Sequence, residues 1–418
     1  MTHYKYLIVG GGMTGDAAIN GIRQVDSDGS IGLVGQEPHR PYNRPPLSKS
    51  LWKGKPLRII WRQDRDRGVA YHLGVTATGL DPVRKELRDD RGGVYGFDKL
   101  LLATGGTPRR LPLETDGVLY FRTLDDYHRL RSMAAEGRHF VVVGGGFIGA
   151  EIAAALALNG KSVTMVFQGA GIGGRLFPRE LGFFLNDYYR TKGVEVLPRH
   201  RVERIERRDA DGAGHAHHGS AGRWAVTARN LATNARQELL CDGVVAGAGI
   251  VPNVDLARTA GLEIGNGVRV DTRLRTSHPD IYAAGDVAEF LDPTLGTWRR
   301  SEHEDNANTM GLAAGQSMAG RPVSYSHQPM FYSDLFELGY EAVGQLSPEL
   351  EIVADWKEPY LEGVIYYLDE GRVRGVLLWN VWEQVDAARQ LLAEPGPLRA
   401  SDLHGRLSLP AHQESHAG

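Results

Sequence analysis

Short apolar runs that end in glycine set the rhythm of this chain. Tyr6-Leu7-Ile8-Val9 is followed at once by three glycines, the pattern of a strand buried on both faces of a parallel sheet. Met13 to Arg23 then predicts a helix and Ser30 to Val34 a second strand. Residues 38–58 are rich in Pro, Lys and Arg and lack alternation, so they predict a structured loop with at most a short helix. Leu100 to Ala103 is another buried strand, ending in Thr104-Gly105-Gly106. From Phe140 the pattern restarts with a strand to Val143, glycines, a helix from Ile148 to Asn159 and a strand from Ser162 to Phe167. Such a restart is an internal repeat of one strand–glycine–helix–strand unit. Val244 to Ala246 and Ile281 to Ala284 are further strands, the second ending in Gly285-Asp286. After Pro329 the chain turns to aromatic-rich alternation through Phe331, Tyr332, Phe336, Tyr340, Tyr360, Tyr366, Tyr367 and Trp379. That change predicts a third, α+β domain built on antiparallel strands.

The glycines between strand and helix carry the chemistry. Gly10-Gly11-Gly12-Met13-Thr14-Gly15 fits G-x-G-x-x-G, and so does Gly144-Gly145-Gly146-Phe147-Ile148-Gly149. Each follows a predicted strand and opens a predicted helix, the context that gives the motif meaning. The first glycine permits the tight turn, the second lets the backbone approach a pyrophosphate, and the third lets helix and strand pack closely. Unpaired N–H groups and the helix dipole then favour the anion. Two such sites imply two dinucleotides. FAD beside NADH or NADPH is the natural pair, because a flavin accepts a hydride and releases electrons singly. An acid after the second strand of each unit would bind ribose hydroxyls. Glu37 stands there in the first unit, whereas the second has Gln168-Gly169 and, downstream, Arg175. Without the acid a 2′-phosphate is not repelled, and Arg175 could pair with it or be a solvated loop cation; NADH against NADPH stays open.

Composition narrows the rest. The 418 residues allow two or three domains, and a formal net charge of −3 leaves no footprint for nucleic acid. One cysteine, Cys241, cannot form an internal disulfide or a Cys-x-x-Cys pair, so electrons must travel on a bound cofactor. Cys241 itself reads as a small buried residue at a strand start. No apolar stretch is long enough to span a bilayer and no targeting pattern opens the chain, so the expectation is a cytoplasmic protein. The Gly- and His-rich stretch 209–223 lacks the spacing of a metal helix and reads as a solvated hairpin loop; no metal site is expected. Residues from Ser408 onward are expected to be frayed.

These residues resemble, over roughly residues 4 to 395, the two-dinucleotide-binding flavoproteins typified by glutathione reductase. The branch they are similar to holds the apoptosis-inducing factors and the ferredoxin and rubredoxin reductases of bacterial oxygenase systems. The stretches that carry the likeness are Pro41-Tyr42-Asn43-Arg44-Pro45-Pro46-Leu47-Ser48-Lys49, Ala103-Thr104-Gly105-Gly106, Gly249-Ile250-Val251-Pro252-Asn253 and Ala284-Gly285-Asp286-Val287. Glu302-His303, Phe331-Tyr332-Ser333-Asp334 and Leu338-Gly339-Tyr340-Glu341-Ala342-Val343-Gly344 complete it, and these last strings look closer to apoptosis-inducing factor.

The resemblance implies that Arg44 and Lys49 contact FAD, with Lys49 near the reactive flavin nitrogen, where a cation stabilises the reduced anion. It implies that Glu151, a carboxylate among apolar neighbours and costly there unless paired, meets Lys49 at the nicotinamide side. Asp286 would bind the ribityl chain, Glu302 and His303 would lie near the nicotinamide, and Tyr332 would stand against the flavin where apoptosis-inducing factors commonly place Trp. Read without the family, Tyr332 is a core aromatic of the third domain.

The fold expected is α/β, with two Rossmann-like dinucleotide-binding domains of the glutathione-reductase kind and a C-terminal α+β domain. Residues 1–120 and 250–326 would bind FAD, 121–249 NAD(P)H, and 327–418 would form an interface domain. The function implied is an FAD-dependent NAD(P)H oxidoreductase passing electrons to a ferredoxin-type protein, a quinone or oxygen. The alternative is a redox sensor of the apoptosis-inducing-factor kind, in which a long-lived complex of reduced flavin and NAD alters conformation or drives homodimer formation. Arg58, Arg62, Arg65 and Arg67 form a candidate surface for an acidic ferredoxin, or a solvated face.

Overall fold

The structure is a computed structural model that describes residues 2–62, 67–113, 115–208 and 223–407. Arg65, the stretch 209–222 and the residues from Ser408 onward lie outside the described residues.

The first glycine-rich unit builds a seven-stranded sheet. Val69–Leu73, Ile31–Gly35, Thr2–Val9 and Val94–Leu102 run parallel in that order, and Ile281–Ala283 adds in parallel to the far end of Val94–Leu102. Glu86–Asp89 and Ala77–Asp81 extend the near end in antiparallel fashion. Leu7, Ile8, Leu33, Leu100 and Leu101 are fully buried, as expected of strands covered on both faces. The strand Thr2–Val9 starts four residues before the apolar run, because Thr2, His3 and Tyr4 pair with Tyr95, Gly96 and Phe97 at an exposed end of the sheet that tolerates the polar Thr2, His3 and Lys5.

The second unit is a five-stranded parallel sheet in the order Val194–Leu197, Ser162–Val166, His139–Val143, Gly243–Ala246, Val118–Tyr120. Val118–Tyr120 pairs with Gly243–Ala246, so the second sheet begins ahead of the boundary expected at 120. A three-stranded antiparallel layer, His200–Arg207, Trp224–Asn230 and Arg236–Cys241, is attached to it. Cys241 is buried as expected but closes its strand rather than opening it, and burial pushes its thiol up to about 12. The chain crosses between the two units through a short antiparallel ladder of Gly106–Pro108 with Ile250–Pro252.

The third domain is a five-stranded antiparallel sheet, Met330–Leu335, Leu338–Gly344, Arg372–Trp379, Glu362–Asp369, Glu351–Glu358. Its strict alternation serves two cores. Val364, Tyr366, Leu378 and Val376 pack under the helix Val385–Ala393, while Ile365, Tyr367, Leu377 and Trp379 face the second unit. There Phe177 meets Tyr340 and Trp379 edge-on at 5.2 and 5.5 Å. Among the described residues no helix is long and apolar enough to cross a membrane, and no group of His, Cys, Asp and Glu could hold a metal.

Candidate active site

Two helices begin alike, at a glycine. Met13–Arg23 is preceded by Gly12 and Phe147–Leu158 by Gly146, both extended, and neither N-cap offers a side-chain acceptor. The first-turn N–H groups therefore have no side-chain partner at the cap. A Cβ placed on Gly12 or Gly146 would meet no atom within 4 Å. The flanking glycines differ. At Gly10 and Gly144, φ is +128° and +124°, and a Cβ would lie 2.1 Å from the Ala103 carbonyl oxygen and 2.5 Å from that of Gly247. Packing within the protein demands the first glycine of each turn, and likewise Gly15 and Gly149, whose Cβ would strike the carbonyls of Gly10 and Gly144. The middle glycine is demanded by nothing in the protein. Open space over an uncapped helix end fits a pyrophosphate, so the chain suits two dinucleotides.

Around the first cradle, Glu37 accepts from both Arg44 and the Tyr42 hydroxyl, so its carboxylate is engaged by the protein. Arg44 also donates to the Arg122 carbonyl (3.0 Å) and lies over the Tyr42 ring at 5.3 Å. Arg122 in turn donates to Asp286 Oδ2 (3.0 Å), and Arg300 donates to the Asp286 carbonyl (2.8 Å) and to Glu302 (2.6 Å). Ala103 is buried; Thr104 and Asn253 exchange hydrogen bonds of 2.9 and 2.8 Å; Gly105 has φ +62°. Gly249, at φ +90°, opens the return ladder. No motif in the sequence singles out Arg122 or Arg300. Arg122 stands just ahead of the helix cap Thr123, and only the fold brings it to Asp286, more than 160 residues away.

The two units meet at Glu151. Its helix opens the second cradle, yet its carboxylate is 3% exposed and accepts three hydrogen bonds. Lys49 Nζ donates at 2.7 Å, Ser48 Oγ at 2.5 Å and Ser333 Oγ, from the third domain, at 2.6 Å. A buried carboxylate is tolerated when it is paired in this way. The Pro45–Ser48 turn, a single 3-10 turn begun by proline, presents Ser48 and Lys49 to it. Lys49 also sits 5.2 Å from the centre of the Tyr332 ring, whose hydroxyl donates to Glu304 (2.9 Å). Burial drives the Tyr332 hydroxyl well above its ordinary pKa, and Glu304 adds to this.

His303 stands at the N-cap position of the helix Glu304–Met318 and stacks on Phe331 with ring centres 4.5 Å apart; Phe147 meets it edge-on at 5.9 Å. Burial lowers its imidazole to about 4, with the Asp286 charge opposing, so the ring is neutral near pH 7. His303, Phe147, Phe331, Leu176, Trp298 and Arg299 help line a cavity of about 430 Å³ where all three domains meet. Ile148 stays partly exposed at the second cradle. The structure thus gathers Lys49, Glu151 and Tyr332 at one junction and sets His303 beside Phe147 and Phe331, with Glu302 exposed next to it. Gln168 lies past the end of Ser162–Val166, bonded to Arg201, and Arg175 is exposed in the next loop.

The arginine cluster is a different matter. Arg62 and Arg67 both donate to Asp16 at 2.6 Å and are each 15% exposed, so they hold the first helix rather than offer a free face. Arg58 is exposed.

Comparison with known proteins agrees with this geometry. Residues 4–311 match the family described as pyridine nucleotide-disulphide oxidoreductase, and residues 314–359 and 353–394 match the mitochondrion-associated C-terminal domain of apoptosis-inducing factor. The chain is 32% identical to apoptosis-inducing factor 1 of Dictyostelium discoideum, covering 93% of this chain and 78% of that protein. It is 34% identical to the ferredoxin reductase subunit of 5,5'-dehydrodivanillate O-demethylase from Sphingobium sp., covering 89% of both. Its fold superposes on a covalent putidaredoxin reductase–putidaredoxin complex with a TM-score of 0.85 at 28% identity, covering 96% of this chain and 95% of that one. The chain belongs to the pyridine nucleotide-disulphide oxidoreductase family, in the branch of apoptosis-inducing factors and ferredoxin reductases, and is an FAD-dependent NAD(P)H oxidoreductase.

Proposed function

We propose that this oxidoreductase hands its electrons to a ferredoxin-type iron–sulfur protein. The observation that carries the acceptor is the likeness to the ferredoxin reductase subunit and to the putidaredoxin reductase of the covalent complex, while the Lys49–Glu151 pair, which ties the loop of the first unit to the helix that opens the second cradle, supports hydride transfer between the two units. Two dinucleotides seated on the two cradles would have their ring ends at that junction. Bound FAD supplies the chemistry, accepting a hydride and giving up electrons one at a time. The chain's own residues bind and orient. Gly10, Gly12, Gly15, Arg44, Ala103, Thr104, Gly105 and Asp286, with Arg122, hold FAD, and Glu37 acts by holding Arg44. Gly144, Gly146, Phe147, Ile148, Gly149 and Gly249 hold the nicotinamide dinucleotide. Lys49 places a cation at the ring end, Glu302 and His303 flank it, Tyr332 covers it, and Phe147 and Phe331 exclude water. Residues up to about 117 with 250–326 would serve FAD, 118–249 the nicotinamide dinucleotide, and the remainder would close the junction, a division that the grouping of strands into separate sheets supports. A single thiol excludes a dithiol relay to a disulfide substrate.

Anaerobic stopped-flow absorbance of the yellow protein with NADH or NADPH tests this. Rapid bleaching, reversed within the mixing experiment by an oxidised [2Fe–2S] ferredoxin, is expected. The match to the C-terminal domain of apoptosis-inducing factor favours a second reading, a slow redox sensor that dimerises. Slow reduction, a persistent long-wavelength band and a doubled mass on adding NAD(P)H would support that sensor and refute the first reading.

A further inference from the structure

The second cradle carries a charge pattern that the shared fold does not require. In a unit of this kind the adenosine ribose lies beyond the carboxyl end of the second strand, here Ser162–Val166. The chain continues from that strand as Phe167-Gln168-Gly169-Ala170, with no carboxylate. The adjoining strand's Glu195 is engaged by Thr164 Oγ1 (2.8 Å), two register positions before the strand end. Gly169 has no packing reason to be glycine. A Cβ there would make only ordinary contacts, 3.7 Å to the Gly171 carbonyl oxygen and 3.9 Å to Phe167, and its φ is not in the left-handed region.

A second segment is stitched alongside. His200 N donates to the Phe167 carbonyl and Arg199 N to that of Gly169, both at 2.9 Å. These bonds bring Arg199 and Arg201 to the strand end, where Arg201 donates to Gln168 Oε1 at 3.2 Å. Both arginines are exposed, and no carboxylate among the described residues pairs with either one or with Arg175. Arg201, bonded to Gln168, and Arg199, held by its backbone to Gly169, thus stand without an acid at the strand end beside which the ribose 2′ position is expected, with Arg175 exposed in the following loop; such a cluster matches a phosphate dianion, which arginine binds through paired charge-assisted hydrogen bonds.

Resting on the reading that this cradle binds a nicotinamide dinucleotide, we propose that it selects NADPH over NADH, with Arg199 and Arg201 gripping the 2′-phosphate beside Gln168 and Gly169, and Arg175 adding charge.

Equilibrium binding to the FAD-loaded protein tests this without turnover. NADP+ and NAD+ are titrated calorimetrically against the wild type, the Arg199→Ala/Arg201→Ala double variant and Gly169→Glu. NADP+ should bind at least about tenfold tighter than NAD+ in the wild type, as expected for hydrogen bonds to a charged group. The double variant should lose about ten- to a hundredfold of its NADP+ affinity with NAD+ affinity unchanged. Gly169→Glu, whose side chain has room, should reverse the preference. Flavin absorbance and melting temperature confirm that each variant is folded. NAD+ binding as tightly as NADP+ in the wild type overturns the proposal, as does an equal loss of both in the double variant. Failure of both nucleotides to bind a flavin-loaded wild type would instead remove the nicotinamide reading on which it rests.

Discussion

Replacing Lys49 with Met strips the cation from a carboxylate that is 3% exposed. Breaking a buried ion pair from one side costs about 3–5 kcal/mol, because a buried charge is left unpaired. Here Ser48 and Ser333 keep donating to Glu151, so the cost should fall at the lower end, about 3 kcal/mol. Glu151→Gln should cost less, about 1–2 kcal/mol, because Lys49 is 11% exposed and its long stem can carry the ammonium towards solvent. The double variant removes both charges, and its cost should be about 1 kcal/mol, far below the sum of the singles. Urea unfolding of the four flavin-free proteins, followed by circular dichroism, gives the cycle. A Lys49→Met cost under about 0.5 kcal/mol, or strict additivity in the double variant, refutes the claim that this pair fastens the two units together.

The glycine turns give a sharper separation. Gly12→Ala and Gly146→Ala should leave the melting temperature of the flavin-free protein level or slightly raised, by up to about 1 kcal/mol in stability, since their Cβ meets nothing. Gly12→Ala should nevertheless lose FAD, read by absorbance, and Gly146→Ala should keep FAD but weaken nicotinamide nucleotide binding, read by calorimetry. Asp16→Asn, by unpairing Arg62 and Arg67, should destabilise the first unit by about 3 kcal/mol in urea unfolding. Because His303 is held near 4 when folded but titrates near 6.5 when unfolded, only the unfolded chain gains its proton as pH falls through that window. The folded state therefore loses up to about 2 kcal/mol between about pH 7 and pH 5 through this group. His303→Asn should flatten that part of the pH–stability curve.

Periodicity made the scaffold legible. The helix Met13–Arg23 has the ends its apolar spacing predicts, and the strands near Val34, Val143, Val166 and Ala246 shift by no more than a residue or two. Their cores are local, built from contiguous apolar runs that pack wherever the chain goes. Residues 38–58 also behave as predicted, as loop with short 3-10 turns at Pro45–Ser48 and Leu57–Ile60. The strand Val118–Tyr120 escapes a reading by pattern because three residues carry no period; only its partner Gly243–Ala246 makes it a strand. The polar wiring was harder still. Glu37 sits where a ribose acid belongs, but Arg44 and Tyr42 compete for it, and that competition depends on how the 38–58 loop folds back. Four arginines clustered in sequence read as one face, whereas the fold turns Arg62 and Arg67 inward onto Asp16.

The third domain shows why the junction resists a reading from either glycine unit alone. Glu151 belongs to the second cradle, Lys49 and Ser48 to the first unit, and Ser333 to a strand nearly two hundred residues further on. A helix carboxylate among alanines is unstable in each unit taken singly, because no one segment supplies enough donors. It becomes tolerable only when all three converge. The packing of Phe177 against Tyr340 and Trp379 fixes that convergence apolarly, so the hydroxyl of Ser333 arrives at the carboxylate on a rigid sheet rather than a loop. The same sheet carries Tyr332 one residue earlier, on the opposite side of the pleat, where it meets Lys49 and Glu304. One strand therefore both completes the buried charge pair and sets an aromatic ring beside its lysine. A single-residue slip that brought Tyr332 to Ser333's place would bring Phe331 to Tyr332's and leave the carboxylate facing a phenol ring.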